Sequence, residues 1–177
     1  QQSLNRQQSA DGVAHIKNAV TSIKSIERYT APDVKKHMDR AIFELDYISD
    51  QLLHGQANEI TLNHVFFGAI NAVAYAELRI SEKELELGGA HQALAHMKTV
   101  QILLQRSLYY ADTTRPIKNE ELKIISHVKS LISEIEKSGT VSEQEFTQIN
   151  SEIEALLNKM LKPDYGNLDY RIPIDNN

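Results

Sequence analysis

The stretch VFFGAINAVAYAELRI, residues 65–80, decides the fold, because apolar side chains cover almost every side of the helix that it would form. Between Val65 and Ala76 the only amide or charged side chain is that of Asn71. A helix that is apolar all round is buried in a protein core or in a membrane. Since this apolar run is far shorter than the roughly 20 residues that span a bilayer, we predict a central, buried helix.

Five further segments have apolar residues three or four positions apart, the spacing of an amphipathic helix. With the central helix, the predicted boundaries are about 11–29, 32–54, 59–87, 90–112, 117–138 and 142–162. Because only a few residues separate them, successive helices should be antiparallel neighbours. The sequence therefore predicts an all-α fold, an antiparallel up-and-down helical bundle of about six helices with a four-helix core and a C-terminal helical hairpin.

The rest of the chain predicts two terminal segments. Residues 1–10 are expected to be a flexible N-terminal segment, residues 11–162 a single helical-bundle domain, and residues 163–177 a short, extended and non-helical C-terminal tail. The tail carries apolar and aromatic side chains among Pro and Gly residues, namely Tyr165, Leu168, Tyr170, Ile172 and Ile174. We expect the tail to lie on the bundle; the alternative is that it docks on a partner or covers a groove.

The residues at the predicted helix ends support these boundaries. In TAPD, residues 30–33, a Thr cap precedes a Pro in the first turn, where its missing N–H costs little. Ser142 and Glu145 have the spacing of a capping box. Gly55, Gly88 and Gly139 stand where helices would end, and glycine readily adopts the left-handed conformation found there.

Composition excludes several classes of function. The chain has 177 residues and a formal net charge of -5, and its lysines are spread along the helices, so it lacks the concentrated basic face with which proteins bind nucleic acid. It contains no cysteine, which excludes disulfides, thiolate metal sites and covalent haem attachment. The first residue is Gln rather than Met, as in a mature exported protein, periplasmic or secreted; a trimmed cytoplasmic protein is the alternative.

The common helical metal-binding patterns are missing from the sequence. No Asp or Glu precedes a His by three positions, and neither HExxH nor His-x-x-x-His occurs. We therefore predict no metal and no cofactor. In GGAHQALAHMK, residues 88–98, His91 and His96 flank an apolar stripe that contains Met97. This arrangement predicts a turn, a buried methionine and two separate histidines, each of which could act only with a residue from another helix.

Aspartate and histidine recur four positions apart, a spacing that places both side chains on one face of a helix. The three pairs are Asp11 and His15, Asp33 and His37, and Asp50 and His54. We interpret them as solvated structural pairs, because helix ends favour these charges without any further role. A pH-sensing or metal-linked role is the alternative.

Glu77 is the acid with the clearest functional potential. At 100° per residue it projects within about 40° of Val73, near the core side of the most apolar helix, where a carboxylate needs a partner. Either it lies beside the apolar seam, where it reaches water or pairs with a Lys or Arg, or it is a polar anchor in a ligand pocket between helices. The candidate ligand-binding residues are Glu77, His64, His96 and Tyr75.

The function that these patterns favour is non-enzymatic. There is no GxSxG elbow, no cysteine nucleophile and no Gly-rich phosphate loop. We expect a helical-bundle protein that acts by binding a protein partner or by self-association, as a homo-oligomer. The alternative is a small-molecule, haem or metal binder that uses a cavity within the bundle.

Overall fold

The computed structural model describes residues 2–27, 30–111 and 115–160, and within them the side chains from Ser9 onward except those of Arg115 and Pro116. These residues form six helices and no strand, which confirms the predicted all-α bundle. The helices are α1 (Gln2–Glu27), α2 (Pro32–Leu53), α3 (Glu59–Glu86), α4 (Ala90–Ser107), α5 (Arg115–Ser138) and α6 (Glu143–Met160).

Helix α3 lies at the centre of the bundle. It packs against α2, α4 and α6, and touches α1 over a shorter length. Its buried side chains include Val65, Phe67 and Leu78. Small residues alternate with these large ones at Gly68, Ala69, Ala72, Ala74 and Ala76, all of them buried, and small side chains let neighbouring helices approach closely. The stretch at 65–80 thus occupies the central position that its apolar character predicts.

The other helices complete the bundle around α3. Helix α1 packs mainly on α2, while α5 packs on α4 and α6 packs on both α3 and α5. The α5–α6 hairpin therefore lies against the α3–α4 pair, as the sequence predicts. A single contiguous core results, to which all six helices contribute buried apolar side chains.

Most of the predicted helix ends are confirmed. The backbone N–H and the hydroxyl of Ser142 both contact Glu145 Oε2, at 3.2 and 2.8 Å. Gly55, Gly88 and Gly139 follow helices with φ of 67°, 81° and 70°, where a side chain would be strained.

The Thr cap predicted before α2 is wrong. The residue that precedes the helix is Ala31, with ψ of 156°, and it makes no side-chain cap. The Thr30 hydroxyl instead donates to the Glu27 carbonyl at 2.8 Å. Since Pro32 already occupies the first helical position, the extended residue before it is Ala31 and not Thr30.

Two further boundaries differ from the prediction. Helix α1 begins at Gln2 and not near residue 11; the sequence contains no Gly or Pro before Gly12 that would stop a helix. Helix α4 ends at Ser107 because its last turn tightens, with Tyr110 N–H donating to the Ser107 carbonyl at 2.8 Å. The tail at 163–177 lies outside the described residues.

No helix within the described ranges is long and apolar enough to cross a membrane.

The central position of α3 predicts that alanine substitution of two leucines in this segment lowers the free energy of unfolding by very different amounts. Leu78 is 0 % exposed and Leu87, just after the helix, is 74 % exposed. Leu78→Ala should lower the free energy of unfolding by about 2–5 kcal/mol, whereas Leu87→Ala should change it by less than about 0.5 kcal/mol. Urea denaturation of both variants measures the difference, and equal effects would contradict the central placement of α3.

Candidate functional site

Glu77 and His96, two of the predicted ligand-binding residues, meet across the α3–α4 pair. Glu77 Oε2 lies 2.6 Å from His96 Nδ1, and the two side chains are 15 % and 34 % exposed. The described partner of Glu77 is a histidine and not a Lys or Arg; its role as a polar anchor in a ligand pocket stays a prediction. His96 contacts a residue from another helix. Met97 is buried and His91 is exposed, so the three do not form a cluster.

Tyr75 and His64 do not join this pair. The Tyr75 ring is buried in the core and its hydroxyl donates to Asp33 Oδ2 of α2 at 3.1 Å. Burial raises the pKa of Tyr75 above its ordinary value. His64 is partly buried near the start of α3, about 20 Å along the helix from Glu77 at 1.5 Å per residue. The four candidate residues therefore lie in three separate places.

His37 corrects the interpretation of the Asp–His pairs. It was expected to form a solvated pair with Asp33, but its ring is buried and packs edge-on against Tyr75, with ring centroids 6.0 Å apart. Asp33 is instead engaged by the Tyr75 hydroxyl and by Arg79. Burial is the main reason that the pKa of His37 is lowered to about 4. The imidazole is therefore neutral at pH 7.

The other two Asp–His pairs are at the surface. His54 Nδ1 lies 2.8 Å from the Asp50 carbonyl oxygen and 3.5 Å from the Asp50 carboxylate. Asp11 and His15 are both exposed. The prediction of solvated structural pairs thus fits these two but not Asp33 and His37.

An open groove of about 1300 Å³ lies between the C-terminal ends of α1 and α3 and the N-terminal end of α6. Its large apolar lining residues are Ile26, Ile80 and Leu87. Five glutamates and two basic residues also line it, namely Glu77, Glu82, Glu84, Glu86, Glu143, Arg79 and Lys83. Among its described residues, therefore, the groove combines an apolar strip with an excess of negative charge.

Part of that charge is neutralised inside the protein. Arg79 contacts Glu82 and lies 3.6 Å from Asp33 Oδ2, and Asn150 of α6 donates to Glu82 at 3.2 Å. Glu77 is held by His96. By contrast, Glu84, Glu86 and Glu143 form no ion pair with any described residue. These three carboxylates give the groove its unbalanced charge, with Lys83 as the nearby cation.

A polar cluster in the core was missed in the sequence. Glu121 of α5 is fully buried, and it contacts Ser107 of α4 and Asn71 of α3. Burial raises its pKa to about 7, partly offset by these two contacts. Glu121 falls on the same helical face as Ile117, Ile124 and Val128, four, three and seven positions away. That register could have revealed it.

Within the described ranges, no group of three or more His, Asp or Glu side chains is arranged to hold a metal ion. The Glu77–His96 pair supplies two such groups and the Glu152–His127 pair, with Nδ1 and Oε2 2.8 Å apart, supplies another two. Comparison with family models, with curated proteins and with solved structures gives no match. The function must therefore be argued from the geometry of this chain alone.

The burial of His37 predicts that the contribution of this side chain to the free energy of unfolding falls in acid. The pKa of His37 is about 4 in the folded protein, against an ordinary value of 6.5. Between these two pH values the unfolded chain therefore binds a proton at His37 that the folded chain does not bind. The stability difference between the wild type and His37→Gln should therefore shrink by about 3 kcal/mol as the pH falls from 7 to 4. Urea denaturation at pH 7, 5.5 and 4 measures this, and a difference independent of pH would contradict it.

Proposed function

We propose that this protein is a non-enzymatic binding protein, and that the groove between α1, α3 and α6 takes up a basic, amphipathic segment of a partner protein. The observation that carries the proposal is the lining of the groove, where carboxylates that form no ion pair with a described residue border an apolar strip. An amphipathic helix binds such a groove with apolar residues on one face. Lysine or arginine on its flanks would complement the glutamates and direct its encounter with the groove.

The side chains rather than the helix ends determine the charge of the groove. The last turns of α1 and α3 bring partial negative charge to it, and the first turn of α6 brings partial positive charge. The start of α2 lies beside the groove at Thr30 and Ala31 and adds a second positive end. These helix-dipole contributions largely cancel, so Glu84, Glu86 and Glu143 decide the preference for a cation.

The apolar strip favours a peptide over a freely soluble ion. Leu87 is highly exposed at one end of the groove, and Ile26 and Ile80 are partly exposed along it. Exposed apolar side chains next to one another are typical of interaction sites. A small polycation would use the carboxylates and leave this strip uncovered, whereas an amphipathic helix would cover both.

Synthetic peptides test the proposal. A helical peptide with lysine on one face and leucine on the other should bind, and a peptide with the lysines replaced by glutamate should not. Glu86→Lys together with Glu143→Lys should weaken binding of the lysine peptide at least about tenfold, equivalent to about 1.4 kcal/mol. Fluorescence anisotropy with labelled peptide measures the affinity.

Matched controls separate the groove from general electrostatics. Asp46→Lys together with Asp50→Lys makes the same change of charge at exposed positions of α2 outside the groove. This variant should retain affinity within about twofold, and equal weakening by both double variants would refute the groove. Binding of spermine without binding of the peptide would favour the small-molecule alternative instead. Circular dichroism checks that both double variants keep their helices.

A further inference from the structure

Three helices bring one polar side chain each to a common point in the core. Asn71 of α3, Ser107 of α4 and Glu121 of α5 are all 0 % exposed. Asn71 Nδ2 lies 3.3 Å from Glu121 Oε1, and the Ser107 hydroxyl contacts the same oxygen. The remaining oxygens, Glu121 Oε2 and Asn71 Oδ1, are buried and have no hydrogen-bond partner among the described residues.

The contacts of the Ser107 hydroxyl indicate the protonation state of Glu121. The Ser107 hydroxyl has one proton, and its oxygen lies 2.8 Å from the Leu104 carbonyl oxygen and also in contact with Glu121. A single proton cannot serve both acceptors. If Glu121 carries a proton, its O–H donates to Ser107 Oγ while Ser107 donates to the Leu104 carbonyl. Both contacts are then hydrogen bonds, and the buried group is neutral.

Within the described part of the chain, no charged side chain contacts Glu121. The groups that contact it there are Asn71 from α3 and Ser107 from α4, and neither titrates. On α5 itself, Glu120 and Lys123 point to α6, where they pair with Lys159 and Glu152 at the surface. Burial raises the pKa of Glu121, and the contacts with Ser107 and Asn71 lower it by a smaller amount. An unpaired carboxylate in such a place is costly.

We propose that the Asn71–Ser107–Glu121 cluster is a proton-binding site, and that the bound proton holds the N-terminal half of α5 against α3 and α4. This role is separate from the groove and goes beyond the proposed function. When Glu121 loses this proton, the Ser107 hydroxyl can donate to the Leu104 carbonyl or to the Glu121 carboxylate, but not to both. The charge then favours any opening that gives Glu121 access to water. The device is a pH-dependent latch between the C-terminal hairpin and the rest of the bundle.

Hydrogen exchange of the wild-type protein tests the latch. Amides of Ile124 and Ile125, which follow Glu121 and are buried, should report the opening of α5. Their opening equilibrium, corrected for intrinsic exchange, should rise about tenfold per pH unit between pH 5 and 6.5 and level off above pH 7, about 300-fold in all. In Glu121→Gln this dependence should vanish. Glu120→Gln, a neighbouring surface carboxylate, should keep it.

Two results would overturn the proposal. One is a wild-type opening equilibrium for these amides that does not change with pH; the other is a pH dependence that survives in Glu121→Gln. If Glu121→Gln folds poorly, the wild-type protein still tests the proposal, because carbon-13 NMR measures the titration of the Glu121 carboxyl directly. A titration midpoint near 7 supports the site, and a midpoint near 4.5, the ordinary value, refutes it.

Discussion

Burial of most of the central helix is the constraint on which the rest of the structure depends. No residue of α3 from Thr61 to Glu82 is fully exposed, so a polar side chain there must find its partner on another helix. Each of five does so: Asn71 contacts Glu121 of α5, Tyr75 contacts Asp33 of α2, Glu77 contacts His96 of α4, Arg79 approaches Asp33 of α2, and Ser81 bonds the Ala93 carbonyl of α4. The polar residues of α3 therefore fix which helices surround it and in what register.

The same burial places two titratable groups of opposite kind in the core. Burial disfavours the charged form of both, so it lowers the pKa of His37 and raises that of Glu121. Between pH 4.5 and 6.5 a fall in pH weakens the fold through His37 and strengthens it through Glu121. The contributions of these two groups to global stability therefore oppose each other over that range. The two effects act in different places, His37 on α2 and Glu121 where α5 meets α3 and α4.

The sequence predicts the helices better than it predicts their mutual contacts. Apolar spacing and caps located all six helices, and the angle of Glu77 on α3 indicated a carboxylate in need of a partner. Spacing along one helix shows which residues share a face, but it does not show which neighbour that face meets. His37 looked solvated because its i,i+4 relation to Asp33 is satisfied on an isolated helix; in the bundle, Tyr75 of α3 takes Asp33 instead. Glu121 was missed although its register with Ile117, Ile124 and Val128 indicates a buried face; what the register does not show is that Asn71 and Ser107 are its partners across the bundle.

The three unpaired carboxylates of the groove differ from several glutamates elsewhere on the surface. Lysines meet glutamates of a neighbouring helix in the pairs Lys36–Glu154, Lys98–Glu136, Lys123–Glu152 and Lys159–Glu120, whereas Glu134 of α5 faces Glu145 of α6. The lysine–glutamate pairs contribute little stability individually, but they avoid repulsion between like charges. Within the described part of the chain, Glu84, Glu86 and Glu143 have no such lysine, although they border exposed apolar residues. Folding alone gives no reason for that combination, since both repulsion and exposed apolar area oppose it. A partner that carries cations beside an apolar face would relieve both costs at once.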